Sequence, residues 1–149
     1  MTAERSSTME LPIERPALLQ LLRFVAPLVP LAVFIQAIFA GQGLFEDTDL
    51  LDIHGGLGTL TLLLAVIQAA LILLAGFRGR ARVALIGMSL ALVVLIVVQL
   101  GLGYSGRDGG QAAAIHVPNG LVVFGLAVGT ATMLSRYRRE AEGSGAART

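Results

Sequence analysis

The chain contains no cysteine, no tryptophan and no lysine, and only 14% of its 149 residues are charged. Without cysteine it cannot form a disulfide, a zinc–thiolate site, an iron–sulfur cluster or a cysteine nucleophile. The formal net charge is only +1, so the chain lacks the basic field that binds nucleic acid. Soluble domains carry roughly 25% charged residues, whereas this chain is 55% hydrophobic with a mean hydropathy of +0.78. This composition excludes a disordered chain and favours a membrane protein.

Four long stretches are almost free of charge, and each is long enough to cross a bilayer, which takes about 20 apolar residues in a helix. Their apolar residues are continuous rather than alternating, which indicates helices and not strands. We therefore predict an all-α fold, a transmembrane four-helix bundle over residues 17–138 with up-down-up-down topology. The predicted spans are residues 20–43, 54–77, 83–105 and 111–136.

The arginines predict the orientation of these spans. The loop after the first span has no arginine and four acids, and the loop after the third has only Arg107 beside Asp108. The positive-inside rule then predicts that both termini are cytoplasmic. The use of arginine without lysine, together with many Ala and Gly residues, indicates a bacterial source and hence a bacterial inner membrane. Residues 1–16 lack the layout of a secretory signal and are predicted to be a cytoplasmic tail. Residues 139–149 are predicted to be a flexible cytoplasmic tail. The other arginines of the membrane domain and its flanks are Arg5, Arg15, Arg23, Arg78, Arg80, Arg82, Arg136, Arg138 and Arg139.

The two halves of the chain resemble each other. Residues 36–43 and 99–106 each begin with Gln and end with Gly, at an offset of 63. The pattern I-H-x-x-x-G then occurs at residues 53–58 and 115–120, at an offset of 62. Each half therefore consists of a helix, an outer loop, this pattern and a second helix. Because both halves begin on the inner side, the sequence predicts two parallel two-helix repeats.

The repeat places the only two histidines, His54 and His116, at the same depth in helices 2 and 4. In an up-down-up-down bundle these helices are parallel and diagonally opposite, so the imidazoles can face each other across the bundle axis. This arrangement favours bis-histidine ligation of the iron of a haem b. Gly58 and Gly120, one turn further in, would let a flat macrocycle lie against the backbone. The alternative is a pair of interfacial histidines and glycines that serve helix packing alone.

Four further polar residues are candidates for the surroundings of the cofactor. Asn119 is expected to hydrogen-bond within the site. Gln36 and Gln99 are expected to donate to a histidine nitrogen or a haem propionate, or alternatively to bond between helices. Arg107 is expected to pair with a propionate on the outer side, and its alternative partner is Asp108.

These features resemble one half of the heme A synthase family, over about residues 30–135. The segment 115–121, I-H-V-P-N-G-L, is similar to the H-x-x-N-[AG] start of a haem-binding helix in that family. The resemblance implies a four-helix bundle with a haem-ligating histidine pair. The segment around His54 departs from the family pattern E-x-x-H-R, since Leu51 and Gly55 stand where the family has glutamate and arginine. The outer loops also lack the family's paired cysteines, so the resemblance is to small stand-alone four-helix relatives and does not carry over the synthase activity.

Two hypotheses of different classes follow. The first is a b-type haem protein that transfers single electrons, with a membrane redox partner or as part of a larger complex. The second is a cofactor-free accessory or assembly subunit of a membrane complex. A transporter is less well supported, because apart from the histidines the spans contain no acid or base for an ion relay. Gln68, in the second span, is expected to make an interhelical hydrogen bond.

Overall fold

The computed structural model describes residues 15–107 and 109–146, and the side chains of that part except those of residues 16 and 140–146. All secondary structure in this part is helical, as predicted. Each helix is long and apolar enough to cross a membrane. The helices are α1 (Pro16–Phe45), α2 (Leu50–Leu74), α3 (Gly79–Ser105) and α4 (Gln111–Ala146).

The helix ends differ from the predicted spans in ways that matter for the site. Helix α2 begins at Leu50, four residues before the predicted start, so His54 lies one turn inside the helix. Helix α4 begins at Gln111 as predicted but continues to Ala146, so most of the stretch 139–149 is helical where a flexible tail was predicted. The predicted tail 1–16 lies almost wholly outside the described residues.

The four helices form an up-down-up-down bundle. Helix α1 packs against α2 and α4, and α3 packs against α2 and α4. In the described part of the chain, the diagonal pairs α1–α3 and α2–α4 share no Cα atoms within 8 Å. The α1–α2 and α3–α4 loops therefore lie at one end of the bundle, and the α2–α3 loop lies at the other. This topology makes α2 and α4 parallel and diagonally opposite, as the sequence predicts.

The two halves also make matching contacts where their helices meet beside the loops. A Cβ added to Gly43 of α1 would lie 2.7 Å from Leu51 of α2. At the equivalent place, a Cβ on Gly106 after α3 would lie 2.8 Å from the backbone nitrogen of Ala113 in α4. Both glycines therefore permit an approach that a side chain would prevent, and the sequence repeat corresponds to repeated packing.

Two apolar clusters of buried side chains form the core. One includes Leu22, Ile72 and Leu85, towards the chain termini, and the other includes Val29 and Leu92, towards the histidines. Because membrane helices gain little from the hydrophobic effect, these clusters stabilise the bundle mainly through close packing.

Buried polar side chains lie along the helices between these two clusters: Gln68, Ser89 and Thr130 are each at most 1% exposed. Thr130 stands 62 residues after Gln68, so the polar position also follows the repeat. Thr130 donates to the carbonyl oxygen of Leu126 at 2.8 Å. Gln68 has no hydrogen-bond partner for either amide atom among the described residues. The predicted interhelical hydrogen bond of Gln68 is therefore not formed there.

We expect Gln68→Leu to leave the bundle as stable as the wild type or to stabilise it by up to about 1 kcal/mol. An unpaired buried amide favours separation of the helices, whereas leucine packs without a polar cost. The measurement is the free energy of unfolding in mixed micelles titrated with a denaturing detergent. Leu92→Ala, which removes a fully buried apolar side chain, is the comparison and should lose stability. A loss of more than about 1 kcal/mol in Gln68→Leu would mean that the amide is hydrogen-bonded in the membrane.

Candidate histidine site

His54 and His116 face each other across the bundle, near the end formed by the α1–α2 and α3–α4 loops. Their ring centroids are 6.0 Å apart and the ring planes make an angle of 71°. Both side chains are half-buried. The backbones of α2 and α4 do not meet, so the two imidazoles extend from opposite sides into the space between the helices.

Each imidazole is held by the backbone of the neighbouring helix in its own half. His54 Nδ1 lies 2.9 Å from the carbonyl oxygen of Gln36, and His116 Nδ1 lies 3.1 Å from that of Gln99. A carbonyl oxygen can only accept a hydrogen bond, so each Nδ1 must carry the proton. The neutral ring then has its lone pair on Nε2, which is free to bind a metal. Metal-ligating histidines are commonly oriented in this way.

The predicted glycines lie one turn beyond the histidines, where they face the glutamine side chains. A Cβ on Gly58 would lie 3.3 Å from Gln36 Oε1 and 2.9 Å from a methyl carbon of Leu100. A Cβ on Gly120 would lie 3.0 Å from Gln99 Nε2. Each glycine therefore makes room for the amide of its own repeat, in addition to lining the cavity described below.

The glutamine amides bond to other groups and not to the imidazoles. Gln36 Nε2 donates to Thr61 Oγ1 at 2.6 Å. Gln99 Nε2 donates to the carbonyl oxygen of His116 at 3.0 Å, and Gln99 Oε1 accepts from Asn119 Nδ2 at 2.6 Å. The backbone carbonyls contact the rings, and the amides make the interhelical hydrogen bonds that were the alternative expectation. Donation to a haem propionate stays a prediction. Asn119 takes part in this network through Gln99.

A cavity of about 420 Å³ adjoins both histidines. All four helices contribute to its wall, and most of the lining side chains are apolar. Phe34 of α1 and Phe124 of α4 also line it, with ring centroids 6.5 Å apart. These two rings are partly exposed, so the cavity lies beside the lipid-facing surface at the interface between α1 and α4, which we call the α1–α4 seam. Its volume lies within the range of about 300–1,000 Å³ that is usual for small-molecule and cofactor sites.

Besides the apolar residues that line the cavity, three small or short residues near the histidines were not predicted from the sequence. Gly103 lies against the His116 ring, since a Cβ there would be 3.0 Å from Cε1. Ala40, the repeat equivalent of Gly103 at an offset of 63, lines the histidine cavity. Thr61 follows His54 by seven residues, which places both on one face of α2. The spacing of small or short side chains within the repeat was the available signal.

Arg107 lies outside the site. Its guanidinium carbon is 5.2 Å from the centroid of the exposed Tyr104 ring, and Arg107 is not among the residues that line the cavity. The predicted pairing with Asp108 falls on a residue outside the described part of the chain.

The site offers few ligands to a metal ion. Within residues 15–107 and 109–146, no group of three or more His, Cys, Asp or Glu side chains is arranged to hold one. The two histidines therefore stand without a third protein ligand of these types. A structural zinc ion, which takes four ligands from the protein, does not suit this donor set.

Comparison with known proteins finds a match for part of the chain. Residues 36–105 match a family of unknown function, DUF6220. The matched stretch is just under half of the chain and runs from the middle of α1 to the end of α3. It includes His54 and both glutamines but not His116. No curated protein and no solved structure matches the chain.

Proposed function

We propose that this multi-pass membrane protein binds one haem b between His54 and His116 and transfers single electrons. The observation that carries the proposal is the matched pair of imidazoles, each with Nδ1 bonded to a backbone carbonyl and Nε2 left free. The proposal includes the orientation predicted by the arginines, with the termini cytoplasmic in a bacterial inner membrane and the haem near the outer face.

The separation of the rings supports this assignment. A metal–imidazole nitrogen bond is about 2 Å long, so two imidazoles on opposite sides of one metal have centroids about 6 Å apart. The observed separation is 6.0 Å. Both rings are held by equivalent backbone carbonyls, which is the way metal-ligating histidines are commonly oriented.

The donor set favours haem over a bare ion. Two histidines would be enough protein ligands to hold a haem iron, because the porphyrin would supply the others. A zinc or copper ion would need further protein ligands, and none is arranged around the pair in the described residues.

The chain's own residues would bind the cofactor and tune it. His54 and His116 would hold the iron, while the carbonyl oxygens of Gln36 and Gln99 orient the rings and raise their basicity. The apolar wall would cover the macrocycle and exclude water. When bound, haem supplies reversible one-electron chemistry that no side chain of this protein offers.

The proposal is tested by the optical spectrum of the full chain. The protein is expressed with added haem, purified in mild detergent, and recorded in oxidised and dithionite-reduced forms. We expect one haem per chain and sharp reduced bands of a low-spin, six-coordinate b-type haem. A colourless protein would contradict the proposal and would favour the alternative, a cofactor-free accessory subunit of a membrane complex.

A further inference from the structure

A second cavity lies in the α1–α4 seam, at the end of the bundle that carries the chain termini. Its volume is about 320 Å³. The wall is made by apolar side chains together with Pro27 and Pro30 of α1, and Thr132 and Ser135 of α4 line it as well. This cavity is on the same seam as the histidine cavity but at the opposite membrane face.

Three arginines line this cavity: Arg23 from α1, and Arg138 and Arg139 from α4. Arg23 and Arg139 are exposed, so their guanidinium groups can reach a ligand at the membrane surface. Among the described residues that line the cavity, none is acidic. The described lining is therefore positively charged, and it lies at the end of the bundle that carries the chain termini.

We propose that this cavity binds an anionic phospholipid, with the phosphate between Arg23 and Arg139 and an acyl chain in the apolar part of the seam. Arginine is suited to this role because its planar guanidinium donates two parallel hydrogen bonds to a phosphate. Basic pockets between membrane helices on the cytoplasmic side are a known mode of lipid binding. Thr132 and Ser135 supply hydroxyls beside the same space.

The seam itself favours a bound lipid. Helices α1 and α4 close the bundle without a loop between them, and they are the most sparsely packed neighbouring pair. A lipid held by both helices would add contacts at this interface, and we expect it to stabilise the bundle because it binds only the folded form.

The test compares lipid retention by the full chain and two charge-matched double variants. The protein is exchanged into neutral detergent, mixed with phosphatidylglycerol or phosphatidylcholine, and examined by native mass spectrometry. The site variant is Arg23→Gln with Arg139→Gln. The control is Arg80→Gln with Arg82→Gln, which removes two exposed arginines on the same membrane side but outside the cavity.

We expect the wild type and the control to retain phosphatidylglycerol in preference to phosphatidylcholine. The site variant should lose about fivefold in affinity for each arginine removed. Equal loss in both double variants would overturn the proposal, because the effect would then be one of net charge. Inorganic phosphate in large excess should not displace the lipid, and displacement would mean that the site binds a free anion.

A third variant tests whether the space of the cavity is needed, independently of its charge. Thr132→Phe fills the cavity and keeps every arginine, and Thr132 is exposed enough to be replaced without disturbing the core. We expect this variant to lose phosphatidylglycerol retention while its helical circular dichroism stays that of the wild type. Retention at the wild-type level would contradict a lipid in this cavity.

Discussion

His54→Ala and His116→Ala are each expected to abolish the low-spin six-coordinate spectrum and to lower haem affinity more than about 100-fold. Loss of an outer hydrogen-bond partner of a metal ligand already costs about 10–100-fold, and removal of the ligand itself should cost more. The two variants should behave alike, because the rings have equivalent backbone partners. The measurements are haem titration and the reduced spectrum of each purified variant.

The control for these variants is Gln42→Ala, which changes an exposed polar residue of α1 outside the cavity and should leave the spectrum unchanged. Free imidazole should restore the six-coordinate spectrum in the alanine variants, because deletion of the ring leaves space beside the cavity. Rescue distinguishes a lost ligand from a misfolded bundle. Retention of the wild-type spectrum by either variant would show that its histidine is not an axial ligand.

The fold was predictable because the helices and their neighbours follow from where charged and apolar residues stand along the chain. Charge-free runs of bilayer length define the helices, and short loops make consecutive helices neighbours. The start of α2 was misplaced, because the acidic segment before His54 was taken as loop whereas Leu50–Leu74 is continuous helix. An acidic residue such as Asp52 is common in loops and is also favourable in the first turn of a helix, so it does not decide where α2 begins.

The pairing of His54 with His116 was predictable for a different reason, namely the internal repeat. Two residues 62 positions apart carry no local signal of contact, but equivalent places in parallel repeats lie at the same depth. Two features could not be predicted. The carbonyl oxygens that hold the rings belong to the backbone and have no residue signature, and the direction of Arg107 depends on a loop that nothing in the sequence constrains.

Gly106→Ala is expected to destabilise the bundle by roughly 1–3 kcal/mol, the usual cost of forcing atoms into a closely packed contact. The added Cβ would lie 2.8 Å from the backbone nitrogen of Ala113, 3.0 Å from its Cα and 2.8 Å from the carbonyl oxygen of Leu102. Because all three are backbone atoms, α3 and α4 must move apart and the end of α3 must also shift. The measurement is the free energy of unfolding in mixed micelles, with the same denaturing detergent for every variant.

The control is Gly101→Ala, in α3 just before Gly106, where an added Cβ meets nothing within 4 Å and no stability should be lost. Gly43→Ala tests the repeat: an added Cβ would lie 2.7 Å from the Leu51 side chain and 3.0 Å from the Leu51 backbone nitrogen, so we expect it to lose stability as well. Separation of α3 from α4 would also lengthen the bond between Gln99 and His116. The Gly106→Ala variant should therefore bind haem more weakly although it retains both histidines, whereas equal stability of the Gly106 and Gly101 variants would refute the close approach.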